Sequence, residues 1–223
     1  MITAFKSYIG LLMNHQNTYT GLAWKDDPTI MAWETGNEFG AYMGQEGYPP
    51  ASFTSSVAAY IKSLTPALVI DGSDGFYNWS TKATAPGLGV SQVDIMSDHF
   101  YPRNTGILAT EVSLAANANK NFLIGEYDWT TSSSGATLPA FLAAIEAQPY
   151  LGDMLWSVFG KDAQCCNYVE HNDGYTLHYP TESSSGSSSL QANKLQIVQH
   201  WYRMTGRAVP STLPAVACPQ PVF

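Results

Sequence analysis

The sequence predicts an α/β fold built on a parallel sheet, of the (β/α)8 TIM-barrel kind, on three observations. Segments with strand character alternate with segments whose apolar residues recur at helical spacing, the order that builds a parallel sheet. Polar and acidic residues gather at the C-terminal ends of the strand segments: Glu38, Asp74, His99, Tyr101, Glu126 and Trp156. Barrel active sites are built at those ends. A doubly wound sheet also binds ligands there, so placement alone does not choose between the two. The chain has no dinucleotide or P-loop glycine fingerprint, which weighs against the second.

A helix over residues 2–15 comes first, with Phe5, Ile9, Leu12 and Met13 near one face. "TIMAWE" reads as a short strand. "SFTSSVAAYIKSL" is a helix carrying Phe53, Val57, Ile61 and Leu64 on one side, stopped by Pro66. "ALVID" and "VDIMSDHFY" are strands, the second ending in polar residues, and "GILATEVSLAANA" between "VDIMSDHFY" and the next strand is helical. "NFLIGEY" is a strand, and "LPAFLAAIEAQ" a helix with Thr137 as N-cap and Pro139 in its first turn. "GDMLWSVFG" is a strand. "SLQANKLQIVQHWYRMTG" is a helix that Gly206 ends, preceded by a flexible "SSSGSSS" loop over Ser183–Ser189. Five strand segments fall short of the eight that close a barrel, so about three strands are expected to be missing ahead of residue 1, leaving the strand 4 to strand 8 portion. Residues 1–223 are therefore expected to be one partial domain.

Composition bounds the chemistry. The 223 residues are 45% hydrophobic, 13% aromatic and 13% charged, a globular composition with enough chain for a core. A net charge of −8 argues against nucleic acid or an anionic membrane as partner. No stretch is apolar enough to span a bilayer, and the N-terminal residues do not read as a signal peptide. Cys165, Cys166 and Cys218 leave one thiol over if Cys218 bridges to either neighbour. "NWS" at Asn78–Ser80 is a glycosylation sequon, a weak signal.

Glu38 and Glu126 each follow an apolar strand segment. A glycosidase needs such a pair, one carboxylic acid to protonate the leaving oxygen and one carboxylate to attack or to activate water. Asn37 beside Glu38 can bond a sugar hydroxyl. The structural alternative, a strand-end acid capping the next helix, has about even odds from spacing. His99 and Tyr101 lie two apart on one strand, so both face one way and can hold carboxylates in different protonation states. His99 has no second histidine at metal spacing, so no metal is expected. Trp33, Trp129 and Trp156 lie near the strand ends, where indoles can stack on the apolar faces of sugar rings. Core packing is the better account of Trp33, and a weaker one of Trp129 and Trp156. "DGSDG" at Asp71–Gly75 starts like a calcium loop, but Lys82 stands at the closing position. No G-x-S-x-G elbow is present.

"PTIMAWETGNE", "MSDHFYP", "FLIGEYDW", "GDMLWSVFG" and "DGYTLHYP" occur in the order and spacing of glycoside hydrolase family 5. They most resemble its fungal endo-β-1,4-mannanase branch, over nearly the whole chain. The resemblance implies a (β/α)8 barrel, a retaining mechanism, no cofactor, a β-mannan polysaccharide as partner, and secretion. It implies Glu38 as acid/base after the fourth barrel strand and Glu126 as nucleophile after the seventh. Asn37 would bind the reacting sugar, and His99 and Tyr101 would orient and tune the nucleophile. Trp156 would form the sugar platform after the eighth strand, with Trp129 a further substrate contact, and Asp74 would reach the leaving-group side. The family commonly continues Asn-Glu with Pro and Arg, where this chain has Phe39 and Gly40. Another β-glycan specificity (exo-β-mannosidase, glucanase or cellulase) uses the same machinery, and a truncated non-catalytic remnant would carry the same motifs. The sequence sets no oligomeric state.

Overall fold

The computed structural model describes residues 1–42, 47–130, 135–149, 151–160, 162, 167–179 and 188–215. Its elements are α1 (Ile2–Met13), β1 (Ala32–Glu34), α2 (Phe39–Tyr42), α3 (Ala51–Leu64), β2 (Leu68–Asp71), β3 (Ile95–Phe100), α4 (Thr105–Asn117), β4 (Asn121–Tyr127), α5 (Leu138–Glu146), β5 (Leu151–Asp153) and α6 (Ser188–Met204). The five strands are hydrogen-bonded in the order β1-β2-β3-β4-β5. Both β1 with β2 and β2 with β3 pair in parallel, with Trp33 opposite Val69 and Ile70 opposite Ile95. Sequential strand order with intervening helices is the arrangement of part of a (β/α)8 barrel.

The chain divides into two compact units. The first comprises Met1–His99, Gly106–Gly125 and Tyr150–Gly152, and holds most of the sheet. Its core is Met13 of α1, Val57 and Ile61 of α3, Val69 of β2, Met96 of β3, Leu108 of α4 and Phe122 and Ile124 of β4. β3 is buried at all but one position, as a strand covered on both faces requires. Asp94 ties strand starts together, accepting the Val69 amide at 2.8 Å and pairing with Lys62 at 2.6 Å.

The second unit comprises Phe100–Thr105, Glu126–Pro149 and Asp153–Phe223. Phe100, Tyr127 and Phe141 form its aromatic centre, with Leu138, Leu142, Ile145 and Ile197 around them. Thr137 caps α5 as expected, its hydroxyl accepting the Ala140 amide at 3.4 Å, and Gly206 follows α6 at φ +66°.

Several boundaries differ from the sequence reading. β1 is shorter, because an Asx turn at Asp27 holds the Thr29 amide at 2.9 Å and bends the chain before the strand. "GDMLWSVFG" is a strand only as far as Asp153. Beyond it Ser157 and Phe159 exchange backbone bonds with Tyr175 and Leu177 instead, and Trp156 makes a single bridge with Asp128. α6 begins at Ser188, so the end of the serine run is helical, while Ser183–Ser187 lie outside the described residues. So do Cys165, Cys166 and Cys218. Among the described residues no helix is long and apolar enough to cross a membrane.

Candidate active site

Glu38 stands four residues past β1, not at its end. Its delivery is built from close backbone contacts. Thr35 donates its amide to Ile70 O at 3.0 Å, its hydroxyl accepts the Gly72 amide at 3.0 Å, and Phe39 returns an amide to Gly72 O at 3.2 Å. A β-carbon on Gly72 would lie 1.9 Å from Gly36 O, so only glycine lets the two chain segments meet. Between these anchors Glu38 takes φ +52°, a left-handed conformation that costs a non-glycine residue free energy and that clusters at functional sites. Phe39 is held by rings, 5.4 Å edge-on to Phe53 and 6.4 Å from Phe5. Asn37 is exposed beside it.

His99, near the C-terminal end of β3, places Nδ1 2.7 Å from Glu38 Oε1. Its amide is bonded to the Asp98 carboxylate at 2.7 Å, which fixes the strand end. Asp74 lies in the same unit. Partial burial of its carboxyl and the negative charge of Glu38 push it above the usual carboxylate range, with His99 opposing. The structure brings Glu38, His99 and Asp74 together, but His99, expected to orient the nucleophile Glu126, places its Nδ1 against Glu38, and further groups lie behind them. Asp98 and Glu111 are buried and share a hydrogen bond, which needs one proton on the pair. Burial, then the charge of Glu111, raises Asp98 well above its ordinary value, and burial raises Glu111 to about 7. Glu111 also takes the Phe76 amide at 3.0 Å, tying down the loop that carries Asp74. Its only sequence signal is an acid in the middle of an otherwise uncharged helix.

In the second unit Tyr101 donates its hydroxyl to Glu126 Oε2 at 3.0 Å and packs 5.2 Å from Tyr175. Trp156 donates its indole N–H to Asp173 Oδ2 at 2.6 Å. Arg103, also unforeseen, is buried and knits strand-end loops by donating to Ala136 O at 2.9 Å and to Asp128 O. Trp129 corrects the sequence reading. It is 1% exposed and its indole N–H is bonded to Tyr175 O at 2.6 Å, so it is a core ring with no face for a sugar. Its neighbour Asp128 turns inward toward Arg103, which draws the whole segment into the unit.

Residues 2–133 match the family model described as GH family 5 β-mannosidase-like. The chain belongs to glycoside hydrolase family 5. Among family members, mannan endo-1,4-β-mannosidase 4 of Oryza sativa subsp. japonica is 29% identical over 180 residues, covering 74% of this chain and 37% of its own length. The rice protein named putative mannan endo-1,4-β-mannosidase 9 is 28% identical, covering 74% of this chain and 49% of its own. The chain thus spans between about a third and half the length of these curated relatives. Two solved structures share the fold. An endo-1,4-β-D-mannanase from Thermotoga petrophila aligns at TM-score 0.61 and 22% identity, covering 87% of this chain and 65% of that one. A glycoside hydrolase family 5 mannosidase from Rhizomucor miehei aligns at TM-score 0.65 and 17% identity, covering 92% and 59%.

Proposed function

We propose that this chain carries the catalytic carboxylates of a retaining family 5 hydrolase that cleaves β-1,4-mannosidic bonds in mannan-type polysaccharides. The observation that carries the proposal is that each carboxylate is held by a residue of the same His-x-Tyr segment: Glu38 by His99 at 2.7 Å and Glu126 by Tyr101 at 3.0 Å. Such bonds fix a carboxylate's orientation and its proton.

In the proposed reaction Glu126 attacks the anomeric carbon while Glu38 gives its proton to the departing glycosidic oxygen. Glu38, now ionised, takes a proton from water, the water oxygen attacks the anomeric carbon, and the bond to Glu126 breaks with net retention. Asn37 is exposed where it can bond a sugar hydroxyl, Asp74 would serve the leaving-group side, and Trp156 would stack on the sugar. The mannosidase names of the relatives support mannan over glucan, while the fungal branch and secretion are carried by the motif resemblance alone. No cofactor enters this chemistry.

A partial catalytic domain fits the five strands found among the described residues, against the eight of a closed barrel. A non-catalytic carbohydrate-binding remnant is the second reading. The test is to incubate the 223-residue chain with β-mannan, galactomannan, carboxymethylcellulose and aryl β-mannoside, and to follow released reducing ends. Hydrolysis of the mannans supports the first reading, cleavage of the cellulose derivative or the aryl mannoside alone transfers the machinery to another specificity, and binding without hydrolysis supports the second.

A further inference from the structure

One carboxylate in the second unit holds two aromatic side chains and a backbone amide. Asp173 Oδ2 accepts the Trp156 indole N–H at 2.6 Å and bonds His171 Nδ1 at 2.7 Å, while Oδ1 accepts the Tyr175 amide at 2.9 Å. Burial works against ionisation of Asp173, and the bonds from Trp156, Tyr175 and His171 together outweigh it and hold the carboxyl below the usual range. A carboxylate with donors on both oxygens has no free rotation left, so the indole is pinned at its nitrogen.

The rings that follow form a corner. His171 stands edge-on to Trp156, with centroids 5.5 Å apart and planes at 83°. Phe159 lies parallel to His171 at 5.7 Å and 16°, and at 89° to Trp156. Core packing does not explain this cluster. Phe100, Tyr127 and Phe141 of the same unit are at most 2% exposed, whereas the His171 side chain is 51% exposed and Trp156 and Phe159 are half-buried. Exposed aromatic faces held in fixed orientation by a charged post suit the apolar face of a pyranose ring, which gains by stacking and loses little to ordering.

We propose that Asp173 is the positioning residue for Trp156, and that Phe159 and His171 extend the Trp156 platform into a second carbohydrate-stacking surface at a right angle to it. The inference rests on the hydrolase reading for its ligand class, a β-linked glycan, but its residues lie outside the two catalytic carboxylates.

The test uses the full chain labelled with ¹⁵N, the Trp156 indole resonance assigned by its loss in Trp156→Phe, and mannotetraose as probe. Asp173→Asn is expected to shift the indole resonance and to weaken mannotetraose binding about tenfold, the effect of losing one charge-assisted bond. Phe159→Ala and His171→Ala are each expected to weaken binding several-fold without moving the Glu126 environment. An unmoved indole resonance in Asp173→Asn, or binding equal to that of the parent, overturns the positioning role. Unchanged binding in both ring variants overturns the second surface, as does a parent chain that binds no mannotetraose. If Asp173→Asn does not fold, His171→Phe keeps a stacked ring, removes one of the three donors and gives the same two readouts. Binding that responds as expected in a chain without hydrolysis fails the hydrolase reading while upholding this one.

Discussion

Gly125 and His99 are in close contact just before Glu126: a β-carbon on Gly125 would lie 2.8 Å from His99 Nε2 and 2.8 Å from Ser97 Oγ, so any larger residue there must displace one of these side chains. The other side of the same imidazole is 2.7 Å from Glu38. One ring is thus wedged between a carboxylate and a backbone, and its position is set from both sides.

Gly125→Ala is therefore expected to push the imidazole off Glu38 or to strain the strand. Overpacking of this kind costs about 1–3 kcal/mol. Thermal unfolding should show a lowered midpoint, and the His99 ring resonances should shift. Ser97→Gly in the same background removes one of the two clashing atoms and should recover part of the loss. A Gly125→Ala chain that melts with the parent and keeps its His99 signals would contradict the wedge.

If the proposed retaining hydrolysis holds, removing either carboxylate should cost most of the turnover. Glu38→Gln and Glu126→Gln would each take away a group that the proposed mechanism uses in its transition state, with an expected loss of about 10³-fold or more in kcat. Azide should restore turnover to Glu126→Gly with an inverted glycosyl azide as product, because a small anion can occupy the vacated nucleophile position. Near-parental turnover of either variant on mannan would remove that residue from its role.

The buried pair Asp98 and Glu111 makes stability depend on pH. Both carboxyls have folded-state values raised above their ordinary ones, Glu111 to about 7, with burial as the main cause. A raised value means that the folded state holds the proton more tightly than the unfolded chain does. Its contribution is full below the unfolded value and is lost as pH rises through the folded one. Denaturant midpoints should fall between about pH 5 and about pH 8, and Glu111→Gln, which needs no proton, should flatten that slope. A slope of the same size in Glu111→Gln would assign the effect to other groups.

The sequence carried the order of elements because apolar spacing and the turn residues Thr137 and Gly206 act locally. β4 matches its predicted bounds, Asn121–Tyr127. The strand through Trp156 was misjudged for the opposite reason. Ser157 and Phe159 are apolar-flanked and strand-like, but they pair with Tyr175 and Leu177, residues nearly twenty positions away that no local pattern connects. Glu38, His99, Tyr101 and Glu126 were legible because motif spacing records them. Glu111 and Arg103 were not, because a buried partner across the fold leaves no mark on periodicity, and Asp98 and Asp173 stood inside quoted motifs without a role being read for them. Trp129 misled because a tryptophan at a strand end reads the same whether its ring faces out or in.

His200 supplies the last prediction. It is fully buried on α6, with Nδ1 2.8 Å from Glu146 of α5 and Nε2 2.9 Å from Asp153 of β5. Arg203 also bonds Glu146 at 2.9 Å, and Trp201 and Tyr127 donate to the second Asp153 oxygen at 3.1 and 3.2 Å. Burial alone would lower the imidazole, but the hydrogen bonds and negative charges of Asp153 and Glu146 together raise it. Both ring nitrogens then donate, which requires the imidazolium. By linkage the stabilisation is present below the ordinary histidine value near 6.5 and is lost as pH rises through the higher folded value. Arg203 and His200 hold Glu146 below its ordinary value, so that carboxylate's contribution is lost only on acidification. His200→Gln keeps two polar ends without a titrating charge. The difference in unfolding midpoint between parent and variant should be largest near pH 6 and shrink toward about pH 9. The same difference at both ends of that range would show that His200 acts there by shape and not by charge.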